Sequence, residues 1–473
     1  MTPLKYIIIL VYFTYQSVFF IACADESSLF NPSSKKTQDQ AKVTSELSAL
    51  AFQDLIELKG DFFGDVLGVS NNPEDLRAYG VLSTTSPSFV TQTQARGAEG
   101  SPSPALVDVK PEVWSERFEG CELGELDRLN LYIAHILSSD HLRGGRRLSV
   151  VAQSTQAVTI KWSGELWTSA WSDLLGYKTV RPDWIGARVA QLRLNISEYP
   201  SVTKRTQLSG EGDWHVLETI RASSLVEGAL HIEVEGGCAA FHVIAHDAPL
   251  ETLPRTYAAG DVKWPGWYQG SGFGRAAGIY ESSDWVSQAS HEISQPKSAF
   301  GWKLFDATQS PTALIRHGDS AEILFGGYGA VFETQLKLSN KVSQCLEVTT
   351  SFASFAQLPL KANESPLGES RTLSVRDFER SDPQRRPTML WNGPIEINQE
   401  LSSGEWVNEI QNVILTPTTN RNDTDLVSGL VRPLFMWRLQ PNEQRSMRIK
   451  IPVPGYIVAP AALVFETRAC PMR

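Results

Sequence analysis

The stretch AEILFGGYGAVFETQLKLSNKVSQCLEVTTSF, residues 321–352, decides the fold. From Tyr328 onward, Ala330, Phe332, Thr334, Leu336 and Leu338 fall on one face, while Val331, Glu333, Gln335, Lys337 and Ser339 fall on the other. Period-2 alternation of this kind is the mark of a strand with one buried and one wet face. A polar turn at Ser339, Asn340 and Lys341 follows, and alternation resumes at Leu346, Val348, Thr350 and Phe352. The pattern predicts a β-hairpin, the building block of a sandwich.

Working outward, short strand signals dominate beyond Glu112. The clearest are residues 129–137 (LNLYIAHIL), 148–152, 158–162 and 231–234, with an earlier one at 79–83. Helical periodicity is scarce, so the expected class is all-β. Two distant stretches read as copies: residues 225–248 (LVEGALHIEVEGGCAAFHVIAHDA) and 439–469 (LQPNEQRSMRIKIPVPGYIVAPAALVFETRA). Residues 149–162 match 336–350 in the same way, each with strand, short polar turn and strand. A repeat this long implies two tandem β-sandwiches, expected at 55–260 and 286–473 with long connecting loops. Residues 261–285, which include KWPGWYQGSGFGR, read as the connection between them. Its Trp264, Trp267 and Tyr268 are expensive to leave wet, so they either wedge between domains or form a ligand platform.

The N-terminus reads as a targeting segment, residues 1–22. Lys5 supplies its positive end and residues 6–20 its apolar centre, too short for a membrane span. Phe20-Ile21-Ala22-Cys23 is similar to a bacterial lipobox, with Cys23 as the lipidation site; Ala22-Cys23-Ala24 is alternatively a cleavage site for ordinary signal peptidase. Residues 23–54 are rich in Ser, Lys and Gln through their first half and read as a flexible tether. Export of either kind places the body outside the cytoplasm, anchored at the membrane or secreted. Four cysteines remain: Cys121, Cys238, Cys345 and Cys470. An even number in an oxidising compartment suggests disulfides, with buried free thiols as the alternative. Two cysteines fall in each expected domain, so the pairs are Cys121 with Cys238 and Cys345 with Cys470.

A net charge of -10 argues against nucleic acid as a partner. The 13 tryptophans fit either sandwich cores or sugar-stacking platforms. No phosphate loop, nucleophile elbow or HExxH motif is present, so no catalytic residues and no cofactor or metal are assigned. Treating Gly236-Gly237 as a hairpin turn sets His231 opposite His242, a solvent-facing pair without a third ligand. Residues 420–425 (NRNDTD) offer oxygen ligands but lack the glycine and glutamate of an EF-hand. Arg143, Arg146 and Arg147 form a small basic patch.

Residues 70–87 (SNNPEDLRAYGVLSTTSP), 274–285 (GRAAGIYESSDW), 326–340 (GGYGAVFETQLKLSN) and the closing 439–467 occur in an order that resembles a family of exported, mostly cyanobacterial proteins, domain of unknown function 3370. The similarity runs from about residue 55 to the end. It implies secretion and a β-rich body and supplies no catalytic residues.

Two functions remain open: a lipid-anchored envelope protein with a structural or binding role, whose partners are the membrane and a surface glycan or protein, and a carbohydrate-binding or carbohydrate-active protein. The anchor is tested first. Cys23→Ala is expected to abolish labelling by a fatty-acid analogue and move the chain from membrane to soluble fractions; a mature N-terminus at Asp25 contradicts the lipobox reading.

Overall fold

The computed structural model describes residues 55–471, apart from 76–79, 87–105, 108, 137–146, 170–184, 195–202, 211–212, 222–224, 247–275, 306–310, 318–319, 321–323, 325–326, 355–390, 402, 416–430 and 454–460. The chain is all-β. In order the strands are β1 (Ile56–Glu57), β2 (Gly60–Phe63), β3 (Leu67–Asp75), β4 (Gly80–Thr84), β5 (Leu106–Val107), β6 (Arg128–Ile136), β7 (Arg147–Ser154), β8 (Val158–Ser169), β9 (Lys204–Leu208), β10 (Asp213–Arg221), β11 (Leu225–Glu235) and β12 (Ala240–His246). There follow β13 (Ala276–Tyr280), β14 (Asp284–Ile293), β15 (Ser298–Phe305), β16 (Ala313–His317), β17 (Val331–Asn340), β18 (Leu346–Ser354), β19 (Trp391–Glu400), β20 (Trp406–Leu415), β21 (Val431–Leu439), β22 (Gln444–Pro452) and β23 (Ala461–Ala469). Among the described residues two short helices interrupt them, α1 (Pro111–Arg117) and α2 (Ile185–Leu194).

The repeat expected from the sequence is present strand by strand. One sheet of the first half runs β10-β7-β12-β4, and one of the second runs β21-β18-β23-β15. The facing sheets contain β3-β6-β11-β8-β9 and β14-β17-β22-β19-β20. Each of these has its parallel pair in the same place, β3 with β6 and β14 with β17. Residues 225–248 and 439–469 do supply equivalent strands, β11–β12 and β22–β23. The second proposed match is out of step by one strand, because the counterpart of β17 is β6, not β7.

The predicted hairpin at 331–354 is not a hairpin. β17 lies in one sheet and β18 in the other, so the chain arches across the core between them. Asn340 holds the arch. Its amide Nδ2 donates to the carbonyls of Gln344, Leu439 and Gln440 at 2.9–3.0 Å, and its Oδ1 accepts from the Val342 N–H at 2.8 Å. The alternation itself was read correctly: Phe332, Thr334, Leu336 and Leu338 are buried while Gln335 and Lys337 are exposed. Apolar alternation reports which face a strand buries and says nothing of its in-plane partner.

Sheet membership also crosses the boundaries expected from the sequence, and residues 276–285 are largely strand rather than connection. β2 pairs antiparallel with β14, from Gly60 with Ser287 to Phe63 with Asp284. β13 pairs antiparallel with β3, from Leu67 with Tyr280 to Asn71 with Ala276. Partner numbers add to 347 in every one of these pairs, so a single register runs unbroken from one sandwich into the other. At the crossing the Ser283 N–H donates to the Asp65 carbonyl at 2.8 Å, and Asn130 Nδ2 donates to Ser283 Oγ at 3.0 Å. The leading strand of each repeat is thus spent on completing a sheet of the other.

Two cores result. Leu129, Leu131, Ile133, Val150, Leu230 and Phe241 fill the first sandwich. The second is built on aromatics: Trp285 packs on Phe332 at 5.3 Å, Phe352 on Trp391 at 4.8 Å and Trp302 edge-on to Phe465 at 5.0 Å. Such large side chains each bury some 150–250 Å² and dominate core energetics. The second core reaches the back of the first sandwich's large sheet, taking in Leu67, Val69, Tyr132, Ala134 and Ala229, with Val189 and Leu192 of α2 wedged alongside. This explains why β6 and β11 read as nearly continuous apolar runs: both their faces are covered.

Both expected disulfides are present. Cys121, just past α1, bonds Cys238 with Cα atoms 5.6 Å apart, and Cys345 bonds Cys470 at 5.4 Å. The closed loops span 117 and 125 residues, for which loop entropy gives about 4–5 kcal/mol each. The cysteines sit at non-equivalent places in the two repeats.

Gly329 packs the second sandwich directly against Tyr132 of the first. It has φ +81°, and a Cβ there would lie 2.5 Å from Tyr132 Cβ. Arg193 Nε of α2 donates to its carbonyl at 3.1 Å. Gly404 has the same φ of +81° with nothing within 4 Å. Gly329→Ala is therefore expected to cost about 2–4 kcal/mol, backbone strain plus overpacking, against about 1 kcal/mol for Gly404→Ala. Denaturant melts of the two variants decide it; equal losses would contradict the close contact.

Candidate functional site

The inner face of β14, β17, β22, β19 and β20 packs on the core, and away from Val331, Pro394 and Pro452 the outer face is mostly polar. It is built by the wet half of each alternating strand. Register lines these residues into rows across the sheet. One row is Gln288, Gln335, Arg448, Asn398 and Asn408. The next contains Ser290, Lys337 and Ser446, and continues through Glu400, which accepts from the Ser446 N–H at 3.2 Å, to Trp406 on the edge strand.

Together these rows line a shallow groove of about 710 Å³, bounded by Gln288, Ser290, Gln335, Lys337, Arg448 and Trp406 among others. Trp406 is 51% exposed, the largest aromatic so displayed among the described residues. From Lys337 to Trp406 the groove crosses three strand spacings, about 14 Å. Amide side chains present a donor and an acceptor together, which matches a hydroxyl that is both. An indole with one face open supplies an apolar plate beside them. The groove therefore suits a flat, elongated, hydroxyl-rich ligand.

The carboxylates near the groove are already engaged. Glu333 lies 3.7 Å from Arg448 and 3.8 Å from Lys450. Glu396 accepts from Asn398 Nδ2 at 3.0 Å. Glu400 stands beside Trp406 in the second row, its carboxylate taking the Ser446 N–H.

The sites expected from the sequence fare differently. Cys23, the platform of Trp264, Trp267 and Tyr268, the loop at 420–425, and Arg143 and Arg146 lie outside the described residues. Arg147 is half-buried at the start of β7. The pairing of His231 with His242 is overturned: β11 and β12 belong to different sheets, because the chain at Gly236-Gly237 crosses the core instead of turning in plane. His231 faces Asn130, 2.9 Å from its Oδ1, while His242 is fully buried with Nδ1 2.7 Å from Thr84 Oγ1. The backbone N–H of the same Thr84 donates to His317 Nε2 at 3.1 Å. Sequence reasoning did not single out the groove residues, although the wet face of β17 was visible in the alternation of Glu333, Gln335 and Lys337.

No family model matches the chain, and no curated protein matches it in sequence. Among solved structures, the CupB6 tip adhesin from Pseudomonas aeruginosa aligns at 8% identity over 88% of this chain and 90% of that one, with a TM-score of 0.14. The N-terminal CBM22-1-CBM22-2 tandem domain of Paenibacillus barcinonensis Xyn10C aligns at 10% identity over 72% and 76%, with a TM-score of 0.10. Likenesses this loose carry no argument about fold or ligand.

Burial of His242 gives a pH dependence. Burial pushes its pKa down to about 3 from an ordinary 6.5. Below pH 6.5 the unfolded chain takes up a proton that the folded site refuses. Stability from this residue is intact above pH 6.5 and falls as pH drops toward 3, by up to about 1.4 kcal/mol per unit. Melts at pH 7 and pH 5 are expected to show this loss in the native chain and a smaller one in His242→Gln; equal slopes would contradict it.

Proposed function

We propose that this chain is an exported, envelope-anchored binding protein and that the outer face of β14, β17, β22, β19 and β20 is its ligand surface, taking a surface glycan. One observation carries the reading: rows of amide and hydroxyl side chains lie in register on an open sheet face with the half-exposed Trp406 at their edge. Gln288 and Gln335 answer sugar hydroxyls, Arg448 adds a charged donor, and Trp406 stacks on the apolar face of a ring. Two disulfides suit an oxidising compartment, in line with export. Membership of the exported cyanobacterial family and lipidation at Cys23 belong to the same proposal and rest on sequence resemblance.

A glycan array probed with the full chain tests this. Binding to at least one polysaccharide class is expected, with a change in tryptophan fluorescence. Trp406→Ala is expected to weaken it about 10- to 30-fold, the loss of one interface anchor. The substitution is at an exposed edge position and is expected to leave folding stability within about 0.5 kcal/mol. Silence across all polysaccharides, or full binding by the variant, overturns the reading.

A further inference from the structure

We infer that the groove recognises an acidic glycan, one whose sugars carry carboxylates, with Lys337 as the residue that reads the carboxylate. The inference rests on the glycan reading above and specifies the charge of the ligand.

The chain as a whole is acidic, at -10. The two rows of the groove reverse that sign, with Lys337 and Arg448 against the single carboxylate of Glu400. The acidic residues around it have other partners. Glu333 sits between Arg448 and Lys450, Glu396 takes the amide of Asn398, Glu400 takes a backbone N–H, and Glu292 lies 3.3 Å from Lys341. Lys337 is different: no ion pair joins it to an Asp or Glu among the described residues, and its side chain is exposed. Its two cross-strand neighbours are Ser290 and Ser446, short side chains that leave the ammonium standing in an open slot.

Why the slot matters follows from electrostatics. An exposed ammonium flanked by small hydroxyls, with no carboxylate in ion-pair contact, attracts an anion more strongly than one already paired. Around Lys337 the groove is lined mostly by amide and hydroxyl side chains. A ligand that satisfies both is a sugar chain with carboxylates at intervals. Arg448, held at 3.7 Å by Glu333, is the weaker second cation.

Calorimetric titration of the full chain tests the inference, using oligouronates of several linkages (galacturonate, glucuronate, mannuronate) and their carboxyl-reduced neutral counterparts at low and high salt. At least one oligouronate is expected to bind tenfold or more tighter than its reduced form, with the preference shrinking as salt rises. Lys337→Gln is expected to bring that ratio to about one, Lys337→Arg to keep it, and both to melt as the native chain does. Equal binding of acidic and reduced forms, a preference untouched in Lys337→Gln, or stronger binding of a sulfated oligosaccharide overturns the inference and leaves the glycan reading standing. Binding to none of them overturns the inference, and the glycan reading falls with it only if the polysaccharide array is silent as well.

Discussion

The antiparallel ribbon of residues 60–71 with 276–287 is the constraint on which the rest of the structure depends. Its single register passes through both sandwiches, so each repeat lends its leading strand to a sheet of the other. Neither large sheet is complete without the partner repeat. Side chains reinforce what the backbone begins: Asn130 reaches Ser283 across the crossing, and Gly329 brings the second repeat against Tyr132 of the first. Tyr132 in turn donates its hydroxyl to the buried Glu227 at 2.9 Å. Burying that carboxylate is costly, and the Tyr132 hydroxyl offsets part of the cost from within the same sheet.

This coupling decides which surfaces are free. The large sheet of the first sandwich has its back against the second core and α2, so its central strands are apolar on both faces. The equivalent sheet of the second sandwich meets α2 along β19 and β22 but leaves Gln288, Gln335, Lys337 and Trp406 exposed, and its strands alternate. Two copies of one topology have thus been put to different uses. The first copy is a buried support and the second displays an open polar face.

Much of this was legible in the sequence, and the limits have physical causes. Alternation at 328–339 gave the strand and its buried side, and composition gave the class. Equivalence of 225–248 with 439–469 gave the repeat, and the cysteine count within each half gave both disulfides. In-plane pairing was not legible, because an arch across a sandwich core and a hairpin within a sheet require the same apolar pattern; Gly236-Gly237 and Ser339-Asn340-Lys341 both read as hairpin turns for that reason. β3 was missed because Ser70, Asn71, Asn72 and Pro73 have the composition of a loop, and only its place between β13 and β6 makes it a strand. The groove was missed for a related reason. Gln288, Gln335, Asn398 and Arg448 are unremarked surface residues on four separate strands, and register alone puts them in one row. Trp406 was one tryptophan among 13, and the aromatic cluster at 264–268 drew the attention instead.

The account stands or falls on where the ligand sits. Hydroxyl-radical footprinting of the full chain, with and without a mixture of oligouronates at saturating concentration, reads that directly. Oxidation of Trp406 is expected to fall on addition of ligand, while the buried Trp437 is unchanged. Ligand binding with Trp406 oxidised at its original rate, and protection moved to Trp264, Trp267 and Tyr268, would contradict the account and return the site to the segment between the repeats.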